Sequence, residues 1–263
     1  MSDWLYTQSE LLIFLFGLAG SVALMYVLAF FLKKTPILTD ITDHEKEFLI
    51  AIQSGLVALS AILLSFSLVL VITNFDKVDT DVSSEASRIN DVDRLLVQYG
   101  DPQLMPLRAQ LKAYAEAIVK DEWPKLARKE ESEKVVSLYA LISTEVGKIN
   151  PTTMREAAIY AELLKKTNEM SELRETRIES SHIGLHRIYW VVNFAIFFGV
   201  LFMSALGLLL NRWLTAIGIT MELAALIGLM TIVFACDQPF KGSVSIKPES
   251  IEATLKAMTA RQK

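Results

Sequence analysis

Four long apolar blocks alternate with polar stretches along this chain, and their lengths set its architecture. The hydrocarbon core of a bilayer, about 30 Å thick, needs roughly 20 apolar residues in a helix that rises ~1.5 Å per residue. Residues 11–32, 55–75 and 190–210 carry no charge, and 213–236 carries one, Glu222. Each predicts a membrane-spanning helix. The first block is too long for a signal-peptide core and is preceded by Asp3 and Glu10 rather than by lysine or arginine, so it reads as a permanent span. Only Asn211 and Arg212 separate the last two blocks, which predicts a tight helical hairpin.

Residues 76–188 show helical rather than strand-like periodicity. Ala86, Ile89, Val92, Leu95 and Leu96 recur at helical spacing, and nothing before them breaks span two, which is expected to run on past the membrane. Leu107, Leu111, Tyr114, Ala115 and Ile118 form the apolar face of a second helix, with Pro124 expected to interrupt it. A third helix is expected over 131–149. After Asn150-Pro151, a fourth is expected from Thr153 toward span three. The predicted fold is all-α: an integral membrane protein with four transmembrane helices and a cytoplasmic helical bundle built partly from extensions of spans two and three. Its expected parts are an N-terminal transmembrane hairpin (1–75), the helical insert (76–188), a C-terminal hairpin (189–236) and a tail (237–263).

Charge then orients the chain. Of 26 lysines and arginines, 17 fall in the insert and five in the tail. Lys33, Lys34, Lys46 and Arg212 lie on the other side. Counted near the span ends, the excess places the insert and both termini in the cytoplasm. The 263-residue chain is 52% hydrophobic and 21% charged, with a net charge of -4. That balance excludes an ordinary soluble enzyme and gives no basic footprint for nucleic acid. The single cysteine, Cys236, permits no internal disulfide and reads as a small buried residue. There is no Ser/His/Asp order, no GxGxxG after a strand and no Walker lysine, so no enzyme and no cofactor are expected. His182 and His186 stand four apart, the spacing of a metal pair on a helix, but no third ligand accompanies them.

Three constellations remain as candidates. Gln53, Ser60, Ser67 and Asn74 stand seven residues apart on span two and share one helical face. A polar face inside a bilayer meets either water or other helices. The stripe is therefore either a pore wall in an oligomer or helix packing, and both readings stay open. Glu222 lies nine residues into span four; it either faces a pathway or sits near the outer interface beside Arg212. Asp76, Asp79 and Asp81 cluster where span two leaves the membrane, without the glycine turn and bidentate glutamate of a calcium loop, and read as a solvated helix exit. Arg174 and Arg177, near Glu172, Glu175 and Glu179, are accounted for by ion pairs along one helix.

Several motifs together resemble an uncharacterised family of four-span membrane proteins described as bestrophin-like. They are Glu85-Ala86 after span two, Tyr114 followed by Glu122-Trp123, Arg174 and Arg177 before span three, and Asp237-Gln238-Pro239-Phe240-Lys241-Gly242 after span four. The family pattern at the last site is Asp-Arg-Pro-Phe-x-Gly, so Gln238 departs from it. The resemblance implies kinship with bestrophins, homopentameric anion channels whose second helix lines a narrow apolar neck. It also implies a prokaryotic inner (plasma) membrane as the location, and membrane lipid, further copies of the chain and a permeating anion as partners. Pro239 disfavours helix at Gln238 and should turn the chain there. Phe240 is then expected as an interfacial anchor, and Asp237 as an acceptor for Arg174, Arg177 or Arg187. The expected function is an oligomeric ion channel with span two lining the path. The alternatives are a non-conducting scaffold or sensor whose helical domain binds a partner and, less favoured, a proton-coupled transporter using Glu222.

Overall fold

The structure is a computed structural model that describes residues 9–35, 42–210 and 213–261. Asp3, Asn211 and Arg212 lie outside the described residues. The described chain is helical throughout, with no strand: α1 (Glu10–Leu32), α2 (Asp43–Tyr99), α3 (Met105–Ala117), α4 (Trp123–Leu126), α5 (Glu133–Gly147), α6 (Met154–His182), α7 (Arg187–Leu210), α8 (Trp213–Cys236) and α9 (Glu249–Ala260). Four of these helices, α1, α2, α7 and α8, hold stretches long and apolar enough to cross a membrane.

The chain divides into two compact units. One comprises residues 1–74, 184–238 and 242–244; the other comprises 75–183, 239–241 and 245–263. In the first unit α1 packs on both α7 and α8. Its core joins Met25 and Ala29 of α1, Leu64 of α2, Val200, Leu201 and Leu206 of α7, and Ile219, Leu223 and Ile227 of α8. Much of the remaining apolar surface is exposed, including Phe16 and Phe30 of α1 and Phe66 and Val69 of α2. That is the expected state of helices whose outer face meets lipid or another subunit instead of water.

The second unit is built as a soluble helical domain is. The later part of α2 contributes Ala86, Ile89, Val92 and Leu96 at spacings of three and four. These pack with Leu107, Leu111 and Tyr114 of α3, Val135 and Ile142 of α5, Leu163 and Met170 of α6, and Ile251 and Met258 of α9. Helix starts are fixed by side chains. Ser132 caps α5 by accepting the Val135 N–H, and Thr153 and Glu156 form a reciprocal capping box on α6, just after the predicted Asn150-Pro151 stop.

Four local expectations need correction. Pro124 does not break the second insert helix: α3 passes into a π-helical turn at Ile118–Glu122, and Pro124 sits in the first turn of α4, where its missing N–H costs nothing. Span three is not an extension of the fourth insert helix, because α6 ends at His182 and α7 begins afresh at Arg187. For the same reason His182 and His186 do not share a helical face. Finally, 249–260, expected only as tail, is the helix α9. Its Ile251, Thr254 and Met258 recur at helical spacing and are buried.

Candidate functional site

Within the first unit, the polar residues of the spans find one another. Gln53 on α2 donates from Nε2 to Glu222 Oε2 on α8 at 3.2 Å and approaches Ser204 Oγ on α7 at 3.5 Å. Gly207 makes room for this. A Cβ there would stand 3.3 Å from Gln53 Oε1, tighter than ordinary contact. Seven residues along α2 from Gln53, Ser60 is 2% exposed. Ser67, fully buried, donates to the Leu63 carbonyl at 2.9 Å and accepts from Asn193 Nδ2 of α7 at 3.1 Å. Asn74 is exposed.

The seven-residue stripe is therefore not one continuous wall. Ser60 and Ser67 are taken up inside the chain, where small hydroxyls let helices approach and supply weak interhelical bonds. At 2% and 0% exposure they face neighbouring helices of their own chain. Gln53 has a different setting. With Glu222 it lines a cavity of about 310 Å³ among the start of α2, the end of α7 and the start of α8, walled by Leu49, Met203, Leu210 and Ile219. Glu222 is half-buried, and its one hydrogen bond among the described residues is the one from Gln53.

Opposite the buried stripe, α2 presents a second face. A turn of ~100° per residue places Gly55, Ala58, Ile62, Phe66, Val69 and Thr73 between ~100° and ~180° around the helix from Ser60 and Ser67. Its large members are open: Ile62 is 54%, Phe66 63% and Val69 62% exposed.

The second unit holds the densest chemistry, a buried charge centre. Arg177 of α6 donates from Nε to Glu85 Oε2 at 2.6 Å, from Nη2 to Glu85 Oε1 at 3.2 Å and from Nη2 to Glu122 Oε2 at 2.7 Å. Arg174, one turn earlier, donates to Glu122 Oε1 at 2.5 Å and lies 3.8 Å from the exposed Glu131. Glu85, Glu122 and Arg177 have no exposed surface. Burial alone would raise the Glu122 carboxyl, but the charge of Arg177 and the hydrogen bonds from Arg174 and Arg177 outweigh it and hold the group below the usual carboxylate range. Burial likewise opposes the Arg177 charge, and Glu85 followed by Glu122 more than restores it, so the guanidinium stays protonated. Tyr114, buried beside these groups, has its phenol pushed well up, first by burial and then by Glu85.

Around this centre lie aromatic and motif residues. The Arg177 guanidinium stands 5.5 Å from the Trp123 ring. Trp123 packs edge-on against Phe240 at 5.6 Å and donates from Nε1 to the Ile246 carbonyl at 3.3 Å. Glu85, Tyr114, Glu122, Trp123, Arg174, Arg177 and Phe240, separate in sequence, thus converge on one place. The intrahelical pairs expected for Arg174 and Arg177 give way to partners on α2 and the π-helical turn. Phe240 is 8% exposed and serves as a core residue, not as an interfacial anchor. In the first unit Asp237 accepts a hydrogen bond from the Leu185 backbone N–H. The chain turns after Cys236, and Gly242 takes a φ of 96°, a value glycine adopts without strain.

Asp76 and Asp79 are exposed and Asp81 half-buried on α2. Among the described residues no three His, Cys, Asp or Glu side chains come together as a metal site requires.

A family model described as the Bestrophin-like domain matches residues 19–251. Among solved structures, a bacterial bestrophin homolog from Klebsiella pneumoniae with a tryptophan-to-alanine mutation superposes with a TM-score of 0.74 at 14% identity, over 97% of this chain and 100% of that one. The same homolog with a leucine-to-threonine mutation gives 0.71 at 13% identity, over 94% and 98%. A further structure of that homolog gives 0.70 at 14% identity, again over 94% and 98%. At these identities the likeness is one of fold. No curated protein matches the chain.

Proposed function

Since the chain belongs to the bestrophin-like family, we propose that it forms an ion channel from several copies of itself in the membrane, conducting anions through a path lined by α2. The observation that carries this reading is the exposed face of α2 at Ile62, Phe66 and Val69. An apolar face on a central span, repeated around an axis, makes a narrow constriction that passes ions only when wetted. Small residues precede it at Gly55 and Ala58, and Thr73 follows it, so the path widens on either side of the apolar stretch. The anion preference and a pentameric assembly come from kinship with bestrophins, which is analogy rather than a property of named side chains.

Of the polar stripe, Asn74 stays open to a role at the end of the path, Gln53 is turned to Glu222 within the chain, and Ser60 and Ser67 are assigned to packing. The lysine and arginine excess supports a cytoplasmic insert and termini. The charge centre, being buried and neutral overall, supports a structural role for the cytoplasmic helices.

The test is flux from liposomes reconstituted with the purified, oligomeric protein, with chloride and potassium gradients applied separately. Chloride efflux above that of empty liposomes is expected. Potassium flux without chloride flux would keep the channel and overturn its selectivity. No flux under either gradient would favour a non-conducting scaffold whose helical unit binds a partner.

A further inference from the structure

We propose that the cavity at Gln53 and Glu222 is a binding site for a small organic cation, an alkylammonium with a short apolar body. An ionisable side chain within a membrane span normally faces a cavity and has a counter-charge. Glu222 faces a cavity of about 310 Å³, within the range of small-molecule sites. Among the described residues Glu222 makes no ion pair and accepts only the Gln53 amide, on Oε2. Lys46, which also lines the cavity, pairs with Asp43 at 2.7 Å. A carboxylate has about four acceptor positions on its two oxygens, so an ammonium group can be received beside Gln53 without displacing it.

The walls decide between an organic and an inorganic cation. Leu49, Met203, Leu210 and Ile219 offer hydrocarbon and no oxygen ligands. One carboxylate, one amide and the hydroxyls of Ser54 and Thr215 in the lining still fall short of the six-to-eight-oxygen cage that a calcium ion takes. They do suit an amphipathic amine, whose charged end pairs with Glu222 and whose alkyl chain lies on the apolar wall. The site stands apart from the exposed face of α2 and does not rest on conduction.

The experiment is calorimetric titration of the purified oligomer with n-butylammonium chloride, with n-butanol and potassium chloride as separate probes. Saturable binding of n-butylammonium alone is expected. Glu222→Gln, which keeps the shape and the Gln53 contact, should weaken it about tenfold or more, the scale of a lost charged hydrogen bond. Gly218 supplies an independent variant. It lines the cavity, and a Cβ there would meet nothing within 4 Å, so the added side chain of Gly218→Leu starts in open space and also improves helix propensity. It should block n-butylammonium while leaving Glu222 in place. The proposal is overturned if n-butylammonium fails to bind the folded wild type, if n-butanol or potassium binds equally well, or if both variants, shown to be oligomeric, bind as the wild type does.

Discussion

Arg177→Met is expected to lower the stability of the chain by roughly 3–5 kcal/mol, the cost of removing one partner from a buried ion pair. Methionine is shorter than arginine but close to it in volume, so the void it leaves is small. The loss therefore comes from Glu85 and Glu122, both without exposed surface, each left with a charge and fewer donors. Arg174 keeps one oxygen of Glu122 satisfied, so Glu85 bears the larger share. Thermal unfolding in detergent would show the drop as a lower midpoint, and a midpoint within a degree of wild type would contradict it. The centre also carries an acid dependence. The Glu122 carboxyl titrates lower in the folded protein than its unfolded value near ~4.3, so its stabilising contribution is complete above that pH and is lost as pH falls through the lower folded value. Unfolding midpoints measured down through pH 4 should fall in the wild type, and Glu122→Gln should lack this component.

Phe66→Ala is expected to increase chloride flux. Phe66 is the most exposed large side chain on the open face of α2 within the span, with Ile62 one turn before it and Val69 one turn after. If repeated copies of this face form the narrowest part of the path, removing six ring carbons from each copy widens and wets it. A change of about tenfold corresponds to a barrier lowered by ~1.4 kcal/mol. Ser67→Ala should leave flux unchanged, because Ser67 is spent on Leu63 and Asn193 inside the chain. Equal fluxes from wild type and Phe66→Ala would contradict a path over this face.

The spans were legible in the sequence because a bilayer demands long uncharged runs, and no local exception hides them. The all-helical character of the rest followed from apolar residues three and four apart. The charge centre was not legible as a unit. Its four charged residues come from α2, the π-helical turn and α6, at positions 85, 122, 174 and 177, and Arg174 and Arg177 had adequate local partners in sequence. A signal was nonetheless present: Glu85 falls on the apolar face of Val78, Val82, Ala86 and Ile89, where a charge survives only if paired. The same pattern, Ile251, Thr254 and Met258 after Pro248, marked α9. The π-helical turn had no comparable signature, because its geometry comes from packing around Glu122. Gln53 and Glu222 were each visible as oddities in apolar surroundings. That they meet required knowing how α2 and α8 lie against each other.

The central claim, that ions pass over the open face of α2 and not over its serine stripe, is tested most directly by thiol accessibility during flux. In a Cys236→Ser background, Phe66→Cys and Ser67→Cys would each be reconstituted and treated with a charged, membrane-impermeant methanethiosulfonate while chloride efflux is recorded. Adjacent in sequence, the two positions lie about 100° apart on the helix. The account predicts that modification blocks efflux at position 66 and leaves it unchanged at 67. Block at 67 with none at 66 would contradict it and return the path to the serine stripe.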